Sequence, residues 1–312
     1  MFDYEVVIVG GGPAGLTAGG HLSRAGHRTL LLEKELFGGA LQHTDRIDDY
    51  PRFHGGITGA QLASDMIEQA TASGLRLEQA EASGVESFSR SRWVACTDGR
   101  GFSCGAVILA GGSRFRALGI PGEEQFRGRG VIDCTPCDGG FFVGKSVAVV
   151  GSNDYAIRDA LHLAGLGVRV TLLATGGNLD LSPLWESRLA EVPDITIQHD
   201  ATLEQIVGTE RVEGVVYSKG QTMPREQLAA AGIAVRVGLA PNTEWLDDVV
   251  DLDACRRIVA NADLATSAAY ILACGDIRSG ARATVATAVA DGAAAAARAS
   301  ELLREGARSW TN

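Results

Sequence analysis

Two cysteines with an acidic neighbour are the residues whose spacing most directly indicates chemistry. In the stretch VIDCTPCDGGFF, Cys134 and Cys137 are separated by two residues, and Asp138 follows at once. This spacing allows a small disulfide ring and stabilises the thiolate of one cysteine. A thiolate attacks a partner disulfide or a flavin, and a carboxylate can supply or accept the proton that the exchange needs. We therefore predict a reversible redox disulfide with Cys134, Cys137 and Asp138 as its catalytic residues.

Half of a zinc site is the competing interpretation of the same pair. Zinc would need further ligands, and the remaining cysteines are Cys96, Cys104, Cys255 and Cys274. Cys96 and Cys104 fall on apparent strands, and the other two stand alone. We expect all four to be small buried hydrophobic residues, so the redox pair is favoured over zinc.

A glycine-rich turn near the N-terminus indicates a dinucleotide site. The strand-like YEVVIVG runs into GGPAG and then a helical segment, so Gly10, Gly12 and Gly15 match G-x-G-x-x-G. These glycines allow a tight turn, close approach of the backbone to a pyrophosphate, and close packing of the helix on the strand. Glu33 ends the next strand, RTLLLEK, where a carboxylate can bind ribose hydroxyls.

A second strand–turn–helix–strand unit follows in KSVAVVG, SNDYA, IRDALHLAGLG and VRVTLLA. Two such units predict an α/β protein with two Rossmann-like, three-layer ββα dinucleotide-binding domains. The late segment AAYILACGDIRSGARATVATAVADGAAAAARASELL reads as a strand, a Gly-Asp turn and a long helix with a buried alanine face. The first domain is therefore expected to be discontinuous, residues 1–114 plus 243–312, with the second domain, 115–242, inserted in it.

Composition excludes several classes of function. The 312 residues include 40 glycines and carry a net charge of −10, which gives no basic footprint for nucleic acid. No apolar run approaches the roughly 18 residues of a membrane span, and MFDYEVVIVGGG enters a strand at once, without the pattern of a signal peptide. With six cysteines and one tight pair, we expect a cytoplasmic redox protein rather than a disulfide scaffold.

These motifs together resemble the low-molecular-weight thioredoxin reductases over essentially the full length of the chain. The resemblance rests on GGGPAG, FGGALQHTDRIDDYP, VILAGGS, LGIPGEEQFRGRGVIDCTPCDGGFF and ILACGD. It implies FAD in the first domain, with NADPH and the C-x-x-C in the inserted domain, and a domain rotation that exchanges electrons. It also implies a homodimer, Cys137 facing the flavin, Cys134 meeting a thioredoxin-like partner or small disulfide, and Asp138 as the acid–base group.

Beyond the first turn and Glu33, the resemblance implies further flavin contacts, and together they form the expected set. They are Gly10, Gly12, Pro13, Ala14, Gly15, Glu33, Lys34, Gly38, Gly39, Ala40, Leu41, Thr44, Ile47, Asp49, Ala110, Gly111, Gly275, Asp276, Arg282, Ala283 and Thr284.

Three of these contacts, at two places in the chain, depart from the pattern of the resembled family. Asp49 stands before Tyr50 and Pro51 where the family usually has Asn, and an ionised Asp cannot donate the hydrogen bond of an amide. The last helix opens Arg-Ala-Thr at 282–284 where Arg-Gln-Ala is usual. Neither change argues against FAD itself.

The second turn departs more seriously. The family pattern Gly-x-Gly-x-x-Ala is here Gly151, Asn153 and Ala156. The side chain of Asn153 falls where a pyrophosphate needs bare backbone, and Tyr155 is bulkier than the small residue expected.

The strand after that turn lacks charges for either nicotinamide cofactor. Between Arg169 and Arg188 there is no Lys, Arg or His to clamp a 2′-phosphate. An NADH site would instead want Asp or Glu at the strand end, where Ala174 and Thr175 stand. We therefore expect neither NADPH nor NADH to be used.

Several functions remain open at this point. The first is a thioredoxin-reductase-like enzyme fed by a one-electron carrier of the ferredoxin type, for which Arg114, Arg116, Arg127 and Arg129 are candidate contacts; a second FAD in the inserted domain, stacked on Tyr155 or Trp310, is an extension of it. The alternatives are an oxygen-dependent dithiol oxidase, a conventional NADPH–thioredoxin reductase with an atypical site, and a flavin-binding sensor. Dithiol oxidases typically place His after the second cysteine, and this chain has Asp138.

Overall fold

A computed structural model describes residues 2–192, 194–220 and 224–310, with side chains as far as 306. The described residues fall into two compact units. The first unit comprises the chain up to Arg114 and again from Ala240, and the inserted unit is Phe115–Leu239. The first unit therefore resumes at residue 240, three residues before the boundary expected from the sequence. Residues 239–241 form a strand at this boundary, which pairs with residues 113–115 at the other one.

One mixed sheet organises the first unit. Its strands are β1 (Tyr4–Val9), β2 (Thr29–Glu33), β3 (Arg76–Gln79), β4 (Ala82–Ser87), β5 (Arg92–Cys96), β6 (Gly101–Leu109) and, late in the chain, β16 (Ile271–Ala273). They lie in the order β3-β2-β1-β6-β5-β4, and β16 pairs with β6 beyond the point where β5 ends. Strands β3, β2, β1, β6 and β16 are parallel, and β4 and β5 form an antiparallel hairpin. A separate two-stranded sheet pairs β7 (Ser113–Phe115) with β15 (Leu239–Pro241).

The parallel part of this sheet is covered on both faces. One face, with Val6, Ile8 and Leu31, packs on helices and includes the buried alanines 295, 296 and 299 of the last helix. The other face packs against the β4–β5 hairpin and the segment around Leu246 and Ile258. Because both faces are buried, the strands read as continuous apolar runs. The helices are α1 (Pro13–Arg24), α2 (Gly59–Ala72) and α6 (Val285–Trp310).

The inserted unit repeats the three layers on a smaller scale. Its strands are β8 (Ser146–Val150), β9 (Arg169–Leu173), β10 (Thr196–Gln198), β11 (Ala201–Gly208), β12 (Val212–Lys219), β13 (Glu226–Ala229) and β14 (Gly232–Val235). A parallel sheet in the order β10-β9-β8-β14 packs helices on one face and an antiparallel sheet, β11-β12-β13, on the other. Its helices are α3 (Thr135–Asp138), α4 (Asp154–Gly165) and α5 (Pro183–Ala190).

The predicted α/β class, with two Rossmann-like units of which the second is inserted in the first, is confirmed. In the described part of the chain, no helix is both long enough and apolar enough to cross a bilayer.

Candidate functional site

The cysteine pair forms a disulfide in the inserted unit. Cys134 and Cys137 are bonded, with their Cα atoms 5.3 Å apart. Cys134 is the N-cap of α3, and the backbone amide of Cys137 donates a hydrogen bond to its Sγ at 3.1 Å. A donor on sulfur stabilises a thiolate once the bond is reduced. The local structure therefore favours the charged form at Cys134.

The two sulfurs differ in exposure. Cys134 is 6% exposed, whereas Cys137 is exposed. The resemblance assigns the outside partner to Cys134, so that role requires Cys134 to become more accessible than it is here. Asp138 is half-buried, and its amide donates to the Cys134 carbonyl at 3.0 Å. Next to it, a Cβ built on Gly139 would lie 2.8 Å from Leu166 of the α4 C-cap, so the motif packs closely on that helix.

The first glycine turn forms a backbone cradle at the ends of the parallel strands. Gly10 has φ +112°, and a Cβ there would lie 2.2 Å from the Ala110 carbonyl oxygen. Among the described residues, no side chain caps Gly12, the N-cap of α1, and nothing lies within 4 Å of a Cβ built on it. Pro13 opens the helix. The first-turn amides of α1 are thus open to an anion.

The Glu33 carboxylate holds this turn in place. Its Oε2 accepts from the Gly11 amide at 2.7 Å, and its Oε1 accepts from the Glu35 amide at 2.9 Å. The exposed Lys34 pairs with Glu35. A carboxylate fixed beside the turn is placed as ribose recognition requires.

Further predicted segments converge on α1. The Gly38 amide donates to the Gly11 carbonyl at 2.8 Å, and a Cβ on Gly39 would lie 3.0 Å from the Gly12 Cα. A Cβ on Gly275 would lie 3.0 Å from that of Ala14. The structure therefore brings together Gly10, Gly11, Gly12, Ala14, Gly15, Glu33, Gly38, Gly39, Ala110 and Gly275.

Two more predicted residues complete the cradle at its sheet side. The Gly111 carbonyl accepts from Asn242 Nδ2 at 2.7 Å, a partner that sequence reasoning missed. Burial raises the pKa of Asp276 to about 6, while Arg257 and a hydrogen bond from Ser113 act in the opposite direction.

The remaining predicted residues have other local roles. Leu41 and Ile47 are buried in a satellite core, and the Thr44 carbonyl accepts from Gly59 at 3.1 Å. Thr284 caps α6 by accepting from the Thr287 amide at 3.2 Å, which explains a hydroxyl at this departure from the family pattern. Ala40, Asp49, Arg282 and Ala283 are exposed.

The second glycine turn is closed by its own side chain. Asn153 is the N-cap of α4, and its Oδ1 accepts from the Ala156 amide at 3.1 Å. Its Nδ2 donates to the Arg236 carbonyl at 2.8 Å. Gly151 lies against the same carbonyl, since a Cβ there would come within 2.5 Å of it. One of the first-turn amides that a phosphate would use, that of Ala156, is therefore already paired.

Neighbouring groups close the turn further. Asp154 accepts from the Ser182 amide at 2.9 Å, and the Asp180 amide donates to the Ser152 carbonyl at 2.7 Å. The Tyr155 ring stands edge-on to Phe115 at 5.7 Å between centroids. Tyr155 therefore packs within the inserted unit.

A buried ion pair in the inserted unit was missed by sequence reasoning. Arg236 Nε lies 2.6 Å from Asp159 Oδ2, and both side chains are 3% exposed. The partners are 77 residues apart. The available signal was a single charge in each of two apolar runs, GIAVRVGLA and DALHLAGLG.

Two minor expectations also have outcomes. Cys96, Cys104 and Cys274 are buried as predicted, but Cys255 is exposed, so that prediction was wrong for one residue. Cys255 lies in a turn where its amide donates to Asp253, which keeps it at the surface. The side chain of Trp310 lies outside the described residues.

Comparison with known proteins gives a consistent result. Residues 4–292 match the family described as pyridine nucleotide-disulphide oxidoreductase. The thioredoxin reductase of Treponema pallidum (strain Nichols) is 36% identical over 295 residues, 94% of this chain and 95% of that protein. The structure of Lactococcus lactis thioredoxin reductase matches with a TM-score of 0.92 at 32% identity, over 97% of this chain and 100% of that one. A ferredoxin-flavin thioredoxin reductase from Clostridium acetobutylicum matches with a TM-score of 0.53 at 25% identity, over 97% and 98%.

Proposed function

Since the chain belongs to the pyridine nucleotide-disulphide oxidoreductase family, as an FAD-dependent disulfide oxidoreductase of the low-molecular-weight thioredoxin reductase class, we propose that it reduces its Cys134–Cys137 disulfide without NAD(P)H. We further propose a one-electron carrier of the ferredoxin type as electron donor. A thioredoxin-like protein is the proposed acceptor.

The residues of the first unit fit FAD. The cradle around Gly10 and Gly12 offers bare backbone and open first-turn amides to a pyrophosphate, and Glu33 is held beside it for ribose hydroxyls. Bound FAD supplies a redox centre that accepts electrons singly or in pairs. Asn242 and Arg257 support the neighbouring Gly111 and Asp276.

Asn153 carries the proposal that nicotinamide cofactors are not used. Its side chain already satisfies the Ala156 amide, so a pyrophosphate would have to displace an internal cap. It is also tied to the Arg236 carbonyl, so displacement would break a second hydrogen bond. Binding of a nucleotide at this turn would therefore have to break two hydrogen bonds of the Asn153 side chain.

Charge near this turn supports the same conclusion. Residues 170–187 contain no Lys, Arg or His, and two arginines on or beside α4, Arg158 and Arg236, are both paired with Asp159. Asp154 adds a negative charge at the first position of the helix. A 2′-phosphate would find no free guanidinium among these described partners. It would therefore lack the guanidinium–phosphate pair, which is among the strong charge-assisted hydrogen bonds.

A ferredoxin-type donor has support from one structural neighbour and from surface charge. The matching Clostridium acetobutylicum structure is that of a ferredoxin-flavin thioredoxin reductase. Of the predicted contacts, Arg116 and Arg129 of the inserted unit are exposed and could meet an acidic carrier. Arg114 and Arg127 are exposed as well, but each is already paired with a carboxylate, Glu244 and Glu124 respectively.

The Cys134–Cys137 pair takes up two electrons and passes them to the partner disulfide in a closed cycle. Reduction breaks the sulfur–sulfur bond with two electrons and two protons, and Asp138, whose amide is bonded to the Cys134 carbonyl, is the group we propose to move one proton. The thiolate then attacks the partner disulfide to form a mixed disulfide, and the second thiol displaces the partner as a dithiol. The Cys134–Cys137 bond is thereby restored.

A disulfide-bearing protein partner suits the surface beside the motif. Phe141 is 74% exposed and Val143 is 57% exposed, a few residues after Cys137. Leu166, which Gly139 contacts, is 38% exposed. Exposed apolar side chains grouped at a redox disulfide are typical of a protein-docking surface.

An anaerobic titration of the flavin absorbance near 450 nm tests the proposal. NADPH, NADH, a dithiol and chemically reduced ferredoxin are added separately. We expect bleaching by the dithiol and by ferredoxin, and none by stoichiometric NAD(P)H. Bleaching by micromolar NADPH would overturn the proposal and leave a conventional NADPH–thioredoxin reductase.

Two further outcomes of this titration distinguish related functions. Re-oxidation of dithiol-bleached protein by oxygen at a catalytic rate would indicate a dithiol oxidase instead. The flavin-to-protein ratio should be one, because the closed turn at Asn153 offers no cradle for a second FAD. A ratio of two would place flavin in the inserted unit.

A further inference from the structure

Arg236 is a fully buried cation directly after strand β14. It is 2% exposed, and its counter-ion, Asp159 of α4, is equally buried. Burying an ion pair costs several kcal/mol per ion unless the remaining donors are also satisfied. The destinations of the other guanidinium hydrogens therefore matter.

These hydrogens bond the segment that leads into Cys134. Nη1 donates to the Ile132 carbonyl at 3.3 Å, and Nη2 donates to the Asp133 carbonyl at 3.0 Å. Nη1 also donates to the carbonyl of Val235 at 2.9 Å. The planar fork thus spans two consecutive carbonyls immediately before the cysteine motif, a geometry available to Arg and not to Lys.

Arg236 bonds the segment before Cys134 at the point where its backbone hydrogen bonds to strand β14 end. The Ile233 amide donates to Gly130, and the Ile132 amide donates back to Ile233, both at 2.8 Å. Beyond Ile132 the segment leaves β14, and Arg236 bonds the next two carbonyls. Its position is in turn fixed by Phe115, whose ring centroid lies 4.1 Å from the guanidinium carbon.

The same residue is joined to the closed turn. Its carbonyl accepts from Asn153 Nδ2, and its side chain is anchored on α4 through Asp159. One residue therefore connects the β8–α4 turn with the residues before Cys134. Resting on the proposed redox role of the Cys134–Cys137 pair, we propose that Arg236 is the positioning residue of that disulfide: its fork on Ile132 and Asp133 holds the lead-in to Cys134 and stabilises the oxidised form.

Positioning matters here because thiol–disulfide exchange needs the attacking and departing sulfurs in line. The contacts of Arg236 are those of the oxidised protein, in which the disulfide is closed. Losing the fork should therefore favour the dithiol and loosen the approach of a partner. A lysine at position 236 keeps the positive charge but cannot bond both carbonyls, so it separates the positioning effect on the disulfide from the effect of the charge.

The test compares Arg236→Lys with Arg169→Met, an exposed arginine on β9. The holoenzyme is equilibrated in dithiothreitol redox buffers, and Cys134 and Cys137 are counted by thiol alkylation. We expect Arg236→Lys to shift the dithiol/disulfide equilibrium about tenfold towards the dithiol, or ~30 mV, and Arg169→Met to leave it unchanged. An unshifted equilibrium in Arg236→Lys with native circular dichroism would overturn the inference.

A second variant guards against unfolding. Replacing the whole pair, Arg236→Met with Asp159→Asn, removes both charges of the pair and keeps a side-chain oxygen for Arg158, so it is tolerated better than losing one partner. The same shift is expected, because Ile132 and Asp133 again lose their donor. If the wild-type cysteines showed no redox-dependent labelling at all, the proposed function would fail rather than the role of Arg236.

Discussion

The Asn153 side chain serves both sides of the β8–α4 turn, with its oxygen on the Ala156 amide and its nitrogen on the Arg236 carbonyl. We expect Asn153→Ala to lower the unfolding free energy of the inserted unit by roughly 1 kcal/mol, as for other lost N-caps. Urea unfolding measures this change.

Thr58→Ala is the matched control for that variant, since Thr58 caps α2 in the first unit. It should cost a similar amount there and leave the inserted unit unaffected. Asn153→Ala should still not be bleached by NADPH, because the cations for a 2′-phosphate remain absent from residues 170–187. An undiminished stability would contradict the capping role.

The two cysteines should differ as partners in a trapped complex. The amide of residue 137 stabilises the Cys134 thiolate, so we expect Cys137→Ser to accumulate at least tenfold more mixed disulfide with a thioredoxin-like protein than Cys134→Ser. Non-reducing electrophoresis measures both. The reverse ratio would instead follow the exposure of Cys137 in this structure.

Burial of Asp276 gives a pH dependence to the first unit. Burial raises the pKa of Asp276 from 3.8 to about 6, so the folded protein binds this proton more tightly than the unfolded chain. The resulting stabilisation is complete below pH 3.8 and is lost as pH rises through about 6, on the order of 2–3 kcal/mol.

Unfolding of flavin-free protein between pH 4 and 7 measures that loss. Asp276→Asn should flatten the pH profile in this window. Asp248→Asn, at an exposed carboxylate of the same unit, should not. A profile that keeps its slope in Asp276→Asn would assign the proton to another group.

At the scale of elements, α1 and α6 are packed closely through Gly292. A Cβ there would lie 2.3 Å from the Ala14 carbonyl oxygen, in the first turn of α1. We expect Gly292→Ala to destabilise the protein by about 1–3 kcal/mol through overpacking and to weaken FAD retention, since α1 carries the cradle. Thermal unfolding and the flavin ratio after dialysis measure the two effects.

Gly20→Ala is the control on α1 itself. A Cβ on Gly20 would meet Ala70 at 3.5 Å, an ordinary contact, so Ala should be tolerated and even gain roughly 0.5–1 kcal/mol of helix stability. Equal losses in both variants would show that any added methyl on these helices is harmful, whatever its position.

Local motifs made much of this architecture predictable. Gly10, Gly12 and Glu33 predicted the first cradle because its residues lie in one short strand–turn–helix–strand run. The resemblance to thioredoxin reductases that they supported is confirmed. Asn153 was recognised as an obstacle to phosphate, but its role as a helix cap emerged only with the geometry. The Arg236–Asp159 pair joins distant segments and has no local pattern to reveal it.

At the scale of the molecule, the inserted unit has what an independent domain needs. It holds two apolar cores of its own, one on each face of its parallel sheet. Its ends are adjacent, since β7 pairs with β15 and the Arg116 amide donates to Gly238 at 2.9 Å. We expect the fragment 113–241 to fold cooperatively and to form the Cys134–Cys137 disulfide.

Circular dichroism on heating and thiol counting measure that outcome. The same fragment with Val149→Asp, at a fully buried position of β8, should fail to fold and serves as the negative control. A wild-type fragment without a cooperative transition would mean that the inserted unit depends on the rest of the chain.

The self-capped turn at Asn153 also bears on how this protein can be screened. A ligand stabilises a fold only in proportion to its binding to the native state, and here the Ala156 amide at the N-terminus of α4 is already capped by Asn153 without one. A library of adenine nucleotides should therefore leave the melting curve of the inserted unit unmoved, even in a fully active preparation. The absence of a shift in melting temperature would then be expected of correctly folded, active protein and would not indicate a damaged preparation.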